Sequence, residues 1–149
     1  MDISILNKEN NVRLNIRVAG LIMNDNKVLL QTCDNVDFYS LPGGRVKYME
    51  DTLCAIKREL KEETGATAHT YISLGELYPT PGYCNEVIYM FAAKNLTFGE
   101  QCTDEDEFLD VVKMPFEKAV QMVTLGEIKD AKTQTAILKL KILKDSNKF

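Results

Sequence analysis

The chain has 149 residues, of which 45% are hydrophobic and 27% charged, and its formal net charge is -4 at pH 7. This length suits one folding unit with a substantial core, so we expect a single domain over residues 1–149. The acidic balance argues against a broad surface for nucleic acid polymers. The N-terminal residues lack the features of a secretory signal, and the apolar run Val18 to Met23 is too short to span a bilayer. We therefore expect a cytoplasmic protein without a membrane partner.

The first third of the chain predicts two strands followed by a loop. Arg13 to Met23 is the first strand, Asn24 to Asn26 forms a turn, and Lys27 to Thr32 is the second strand. A polar loop is predicted from Cys33 to Asp37. The following segment, Tyr39 to Gly44, contains one proline and two glycines, which allow the backbone to approach a ligand closely.

A helix is predicted next. Asp51 or Thr52 can cap its start, and Gly65 suits the left-handed residue just past its end. Its apolar stripe is expected to consist of Leu53, Ile56 and Leu60. None of the four cysteines belongs to a CxxC pair, which favours free thiols, and we expect Cys54 to pack in the core.

The remaining sequence predicts three more strands and two more helices. The strands are Ala68–Glu76, Val87–Ala93 and Asp110–Lys113. The helices are Phe116–Thr124, with Met114 and Pro115 leading in, and a last helix that is capped by Asp130 and runs to about Leu143. Strands flanked by helices in this mixture predict an α/β sandwich.

Three carboxylates crowd one turn of the first predicted helix: Glu59, Glu62 and Glu63. At 3.6 residues per turn they fall within roughly 100° of arc, and such like charges repel unless a cation neutralises them. An ordinary solvated helix face, with ion pairs to neighbouring basic residues, is the alternative. Oxygen ligands suit Mg²⁺ or Mn²⁺ rather than zinc, which prefers Cys and His, and His69 is the only histidine in the chain.

The spacing of these residues resembles a known family pattern. It consists of Gly44, Glu50, Arg58-Glu59-Leu60, Glu62-Glu63 and Gly65-Ala66, which together reproduce every fixed position of the Nudix box. The resemblance to Nudix hydrolases implies an α/β/α sandwich around a mixed β-sheet. It also implies hydrolysis of a nucleoside diphosphate linked to another moiety, with the catalytic Mg²⁺ (or Mn²⁺) held by Glu59, Glu62, Glu63 and the carbonyl of Gly43.

The resemblance assigns roles to residues around the box as well. Glu50 and Arg58 correspond to residues that brace it, and the four-residue spacing from Arg58 to Glu62 allows an ion pair. We count Arg58 and Glu62 among the catalytic candidates. Nudix enzymes usually take a further carboxylate from a downstream loop, and here Glu105 or Glu107 is the favoured base. A merely solvated acidic loop is the alternative for that segment.

Features outside the box bear on the substrate. Pro81 stands fifteen residues after Ala66, a spacing that marks the ADP-ribose pyrophosphatase branch. Residues 81–87, PGYCNEV, and residues 126–133, GEIKDAKT, also resemble that branch. Residues 41–44, LPGG, are more typical of nucleoside-triphosphate enzymes. The favoured reaction is hydrolysis of ADP-ribose, or a related ADP-sugar, to AMP and ribose 5-phosphate. Two alternatives stay open: a house-cleaning nucleoside triphosphate pyrophosphohydrolase that releases NMP and pyrophosphate, and a non-catalytic nucleotide-sensing module.

Five residues are candidates for substrate contact. Tyr39 and Tyr83 can stack on adenine, although aromatic residues in such places often belong to a core. Arg17 and Arg45 can meet a phosphate or the terminal ribose. Pro81 carries the branch spacing but is equally a turn former. The expected partner is a small nucleoside diphosphate derivative, and a homodimer is compatible with the sequence.

Overall fold

The computed structural model describes residues 4–7, 12–33, 36–100 and 110–149, with side chains for 14–32, 38–100 and 110–149. The strands in these ranges are β1 (Ser4–Asn7), β2 (Val12–Asn24), β3 (Lys27–Cys33), β4 (Val36–Ser40), β5 (Ala66–Leu77), β6 (Glu86–Phe98) and β7 (Asp110–Pro115). The helices are α1 (Thr52–Thr64), α2 (Phe116–Thr124) and α3 (Ala131–Asp145). The described part of the chain therefore contains seven strands and three helices.

The strands form one mixed sheet. Its order is β4-β3-β2-β6-β5, with β1 paired to β2 and β7 paired to β3. Strands β2 and β6 run parallel, whereas the other pairs are antiparallel. Asp25 and Asn26, with φ of 47° and 59°, form the two-residue turn between β2 and β3. Asn and Asp tolerate such left-handed angles, which is why this short sequence makes a tight hairpin.

Helices cover both faces of the sheet. On one face α2 and α3 pack on alternate residues of β2 and β6, and buried members of this cluster include Leu21, Met90, Phe116, Ile137 and Leu140. On the other face α1 packs on the intervening residues, and buried members include Val18, Ile22, Ile56, Leu60 and Phe91. The alternation follows from the two-residue period of a strand. The predicted α/β/α sandwich around a mixed sheet is confirmed.

The structure corrects some local predictions. The predicted polar loop from Cys33 to Asp37 is too long, because β3 includes Cys33 and β4 already begins at Val36. Leu53 is 39% exposed, and Ala55 joins Ile56 and Leu60 on the packed face of α1. Cys54 is exposed rather than part of the core.

Helix α1 can approach β2 closely because Gly20 lies beneath it. A Cβ on Gly20 would come within 2.9 Å of Ile56 Cδ1 and 3.0 Å of Leu60 Cδ2. Any larger residue at position 20 would therefore push Ile56 and Leu60 away from the sheet. Within the described ranges, no helix combines the length and apolar character needed to cross a bilayer.

Candidate functional site

Helix α1 is held at both ends by local signals. Asp51 caps its start, with its side chain accepting a 2.7 Å hydrogen bond from the backbone N–H of Cys54. Gly65 ends it in the left-handed conformation at φ 67°, and its N–H donates to the Lys61 carbonyl at 3.0 Å. The glutamate-rich last turn therefore has a fixed position relative to the sheet.

The segment from Leu41 to Gly44, which we call the box loop, runs beside that turn. Gly20 N–H donates to the Pro42 carbonyl and Val18 N–H donates to the Gly44 carbonyl, each at 2.9 Å. Gly43 has φ 151°, and a Cβ there would overlap the Val18 carbonyl oxygen. Only glycine fits this close approach to β2.

Glu63 joins the box loop to the sheet. Its side chain is buried, and its Oε2 accepts hydrogen bonds from the Gly43 N–H at 2.9 Å and from Gln31 Nε2 at 2.6 Å. Gln31 is itself buried in β3. A buried carboxylate is tolerated where donors satisfy it, and here the donors come from two different elements.

Arg58, midway along α1, forms a second hub of hydrogen bonds. Its Nε and Nη2 donate to the two oxygens of Glu50 at 2.9 and 3.0 Å, a bidentate pair. Its Nη1 donates to Glu59 Oε1 at 2.9 Å and to Glu62 Oε2 at 3.1 Å, while Nη2 also reaches the Arg45 carbonyl at 3.1 Å. The expected ion pair between Arg58 and Glu62 is present, and the same guanidinium serves three carboxylates.

These contacts shift several pKa values. The hydrogen bond from Arg58 lowers the pKa of Glu50, and the same bond raises the pKa of Arg58. Burial raises the pKa of the Glu59 carboxyl, although the adjacent Arg58 opposes that rise. Glu59 also lies against Gly44, where any Cβ would overlap its carboxylate. Glu59 is therefore partly desolvated and close to backbone.

The donor set fits a hard divalent cation. Glu59, Glu62 and Glu63 offer oxygen only, and the cationic Nη1 of Arg58 already lies between Glu59 and Glu62. In this arrangement, among the residues described with side chains, no three His, Cys, Asp or Glu side chains gather around one point as a metal would require. Arg58 bonds only one oxygen of Glu59 and one of Glu62, so each carboxylate has further lone pairs that could bind a cation. Ligation by these glutamates and by the Gly43 carbonyl stays a prediction.

Arg17 lies on the opposite face of the sheet from α1, in a small cavity of about 110 Å³. Its Nη1 is 3.8 Å from Glu86 Oε1, which is on β6. The start of α3 forms another wall, where Lys132 Nζ donates to Asp130 Oδ1 at 2.8 Å. The lining residues are Arg17, Pro79, Glu86, Ile88, Asp130, Ala131 and Lys132. Both cations in this cavity are paired with a carboxylate.

The other predicted substrate residues lie apart from this cavity. Tyr39 packs against the core cluster beneath α2 and α3. Arg45 is exposed and forms a β-bridge with Arg17 through its backbone. Pro81 and Tyr83 belong to an exposed turn, in which Tyr83 is 88% exposed and its N–H donates to the Thr80 carbonyl at 3.2 Å. Roles for these residues in binding remain predictions, and Glu105 and Glu107 fall outside the described residues.

Three residues at these sites were not singled out from the sequence. Gln31 had a detectable signal, because it is the one polar residue in the apolar run Val28–Gln31 of β3, and a buried amide requires a partner. Lys132 lies within the GEIKDAKT segment but was not named as a contact. Glu86 likewise lies within the PGYCNEV segment, but its pairing with Arg17 depends on the parallel alignment of β2 with β6, which the sequence does not show.

The comparisons with known proteins agree with this geometry. The profile of the NUDIX domain family matches residues 13–136, so the chain belongs to the Nudix family. A solved structure described as ADP compounds hydrolase superposes with a TM-score of 0.76 over 100% of this chain and 94% of that one. At 20% sequence identity, that likeness concerns the fold.

Curated relatives carry different names. ADP-ribose pyrophosphatase of Bacillus subtilis is 36% identical over 68% of this chain, and GDP-mannose pyrophosphatase of Yersinia enterocolitica is 42% identical over 52%. This chain matches 56% and 42% of those two proteins' lengths, respectively. The methanol dehydrogenase activator of Bacillus methanolicus is 28% identical over 95% of this chain and 82% of its own length. The chain is thus similar to two nucleotide-sugar pyrophosphatases over part of their lengths.

Proposed function

We propose that this chain, as a single Nudix domain, is a pyrophosphohydrolase that acts on a nucleoside diphosphate joined to a second moiety. The preferred substrate in this proposal is ADP-ribose, or a related ADP-sugar, with AMP and ribose 5-phosphate as products. One observation carries it: carboxylates from one turn of α1 meet the glycine backbone of the box loop, through Glu63 at Gly43 and Glu59 at Gly44. The ADP-ribose pyrophosphatase relative supports the substrate.

Mg²⁺ is the proposed cofactor, with Mn²⁺ as an alternative. When bound, it would polarise phosphoryl oxygens and lower the pKa of water. Glu59, Glu62 and Glu63 would hold it, and the Gly43 carbonyl would complete the set. Glu63 would keep Gly43 in place, and Arg58 would neutralise the remaining glutamate charge. Glu105 or Glu107 would accept the proton of the attacking water.

The substrate would extend from the box loop over neighbouring surfaces. Arg17 and Arg45 are the proposed contacts for phosphate or the terminal ribose, and Tyr39 and Tyr83 for adenine, with Pro81 in the same turn as Tyr83. Arg17 and Arg45 are bridged through their backbones, which supports a joint role.

A GDP-sugar is the second candidate substrate class. The relative named GDP-mannose pyrophosphatase supports it, since the identity there is 42% over 82 residues. The chemistry at the diphosphate would be unchanged, because only the nucleobase and sugar differ.

A substrate panel tests the proposal. It contains ADP-ribose, ADP-glucose, GDP-mannose, a diadenosine polyphosphate and dNTPs, each with Mg²⁺ and with a chelator. We expect the highest kcat/KM with ADP-ribose and loss of turnover in chelator. Preference for dNTPs would overturn the substrate assignment.

Glu62→Gln tests the catalytic role, and Glu117→Gln is its control because Glu117 is an exposed carboxylate on α2 that faces Lys141 at 3.4 Å. The first variant should lose at least about 100-fold in kcat. The control should retain wild-type turnover. Equal ADP-ribose binding by wild type and Glu62→Gln, without hydrolysis by either, would instead support a nucleotide-sensing module.

A further inference from the structure

A buried hydroxyl on α3 contacts the box loop from the face opposite α1. Thr133 has no solvent exposure, and its Oγ1 accepts a 3.0 Å hydrogen bond from the backbone N–H of Leu41. The same hydroxyl donates to Asp130 Oδ2 at 2.5 Å. Thr133 and Leu41 are 92 positions apart in the chain, so this contact depends on the tertiary fold.

The hydroxyl of Thr133 is not needed to cap α3. Asp130 already caps that helix by accepting from the backbone N–H of Thr133 at 3.0 Å. Thr133 otherwise occupies a core-facing position, and one turn later Ile137 fills the same face. A polar group in such a place is costly unless it is bonded. Its contribution beyond the cap is the hydrogen bond to Leu41.

Leu41 begins the box loop, and three different elements hold the residues of that loop. Thr133 holds Leu41 from α3, Gly20 and Val18 of β2 hold Pro42 and Gly44, and Glu63 of α1 holds Gly43. The loop is therefore positioned from three sides. Loss of the hydrogen bond between the Leu41 N–H and Thr133 would release the backbone at the start of the box loop, two residues before Gly43.

We propose that Thr133, oriented by Asp130, is a positioning residue that sets the box loop for cation binding. The inference rests on the proposed function, because it assigns Thr133 an effect on the cation that Gly43, Glu59 and Glu62 would share. Thr133 acts through the Leu41 backbone and touches neither cation nor substrate. Its loss should weaken cation binding and turnover more than nucleotide binding.

Three variants isolate this hydrogen bond. Thr133→Val keeps the shape of the side chain but removes the acceptor, whereas Thr133→Ser keeps the hydroxyl. Thr135→Val is the matched control, because the Thr135 hydroxyl donates to the Ala131 carbonyl of its own helix at 2.8 Å. If Thr133→Val does not fold, Thr133→Cys provides a side chain of similar size whose sulfur is a weak acceptor.

The first readout needs no substrate. Mn²⁺ binding is titrated by electron paramagnetic resonance, and amide exchange at Leu41 is followed in the same proteins. Thr133→Val should weaken Mn²⁺ binding roughly tenfold, the lower range for residues that support metal ligands indirectly. Its Leu41 amide should exchange faster while core amides of β6 do not. Thr133→Ser and Thr135→Val should match the wild type.

The second readout is turnover of ADP-ribose, normalised to folded protein. Thr133→Val should lower kcat roughly tenfold and leave KM within about twofold, as expected when nucleotide binding is spared. Wild-type Mn²⁺ affinity and wild-type Leu41 exchange in Thr133→Val would overturn the inference. Absence of hydrolysis by the wild-type chain would overturn the proposed function instead, and the Mn²⁺ and exchange measurements would still decide the role of Thr133.

Discussion

The buried amide of Gln31 donates a 2.6 Å hydrogen bond to the carboxylate of Glu63. The two residues belong to β3 and α1, and the same carboxylate oxygen accepts from the Gly43 N–H. The side chain of Gln31 on β3 thereby positions the side chain of Glu63 on α1. Glu63 in turn positions Gly43 in the box loop. We therefore expect Gln31 to support the candidate site through its hydrogen bond to Glu63.

Gln31→Leu is the first test of that relationship. Leucine cannot donate, so Glu63 would lose one of its buried donors and hold Gly43 less well. We expect kcat to fall about 10- to 100-fold, with weaker activation by Mg²⁺. Steady-state kinetics over a Mg²⁺ titration measure both effects. Gln121→Leu, an exposed change on α2, serves as control, and equal kinetics for the two variants would contradict the role of Gln31.

Arg58→Met tests how much the guanidinium that bonds three glutamates contributes to stability. Glu50, Glu59 and Glu62 would lose their common cation, and the freed like charges would repel. We expect the free energy of unfolding to fall by about 2 kcal/mol, less than for a fully buried pair because the arginine side chain is partly exposed. Urea unfolding measures the loss. Lys61→Met, an exposed cation on the same helix, should cost much less, and a similar loss in both would argue against the hub.

Glu50→Gln tests the pH dependence of stability. The hydrogen bond from Arg58 lowers the pKa of Glu50 from its usual value of 4.5, so Glu50 stabilises the fold above that value. This stabilisation is lost as the pH falls through the lowered pKa. Wild-type stability should therefore decline more steeply than that of Glu50→Gln from about pH 5 downward, as urea unfolding at a series of pH values would show. Parallel pH profiles would contradict this assignment.

Gly44→Ala tests the contact between the box loop and α1. The new Cβ would overlap the Glu59 carboxylate and displace it from Gly44. We expect a loss of at least about tenfold in kcat/KM, because a small displacement of a ligand or catalytic group is costly. Gly99→Ala is the control, since its Cβ would lie 3.8 Å from the Gly65 carbonyl oxygen, an ordinary van der Waals contact. Comparable kinetics in both variants would show that Glu59 tolerates the shift.

Helix α1 was predictable because its signals are local. Asp51 and Gly65 flank it, and the pair Arg58 and Glu62 follows from helical spacing. Leu53 lies seven residues before Leu60 and so points to nearly the same side of the helix, yet it is 39% exposed. Periodicity shows which side of a helix packs, but not how far along the helix the packing extends.

The hydrogen bonds that support the site from other elements were not predictable in the same way. Gln31 and Glu63 are 32 positions apart, and Thr133 and Leu41 are 92 apart. Such pairs meet only through the strand order and the packing of α3 on the sheet, which a single sequence does not specify. A buried polar residue in an apolar run signals that a partner exists, but it does not identify that partner.

The box loop also passes between the two layers of the molecule. Leu41 packs with the cluster beneath α2 and α3, whereas Val46, shortly after the loop, packs with the cluster beneath α1. The backbone of Gly43 and Gly44 therefore lies between residues that belong to two separate hydrophobic clusters. We therefore expect a substitution in either cluster to displace these glycines. The turnover rate should then change even when the substituted residue lies far from the reacting groups.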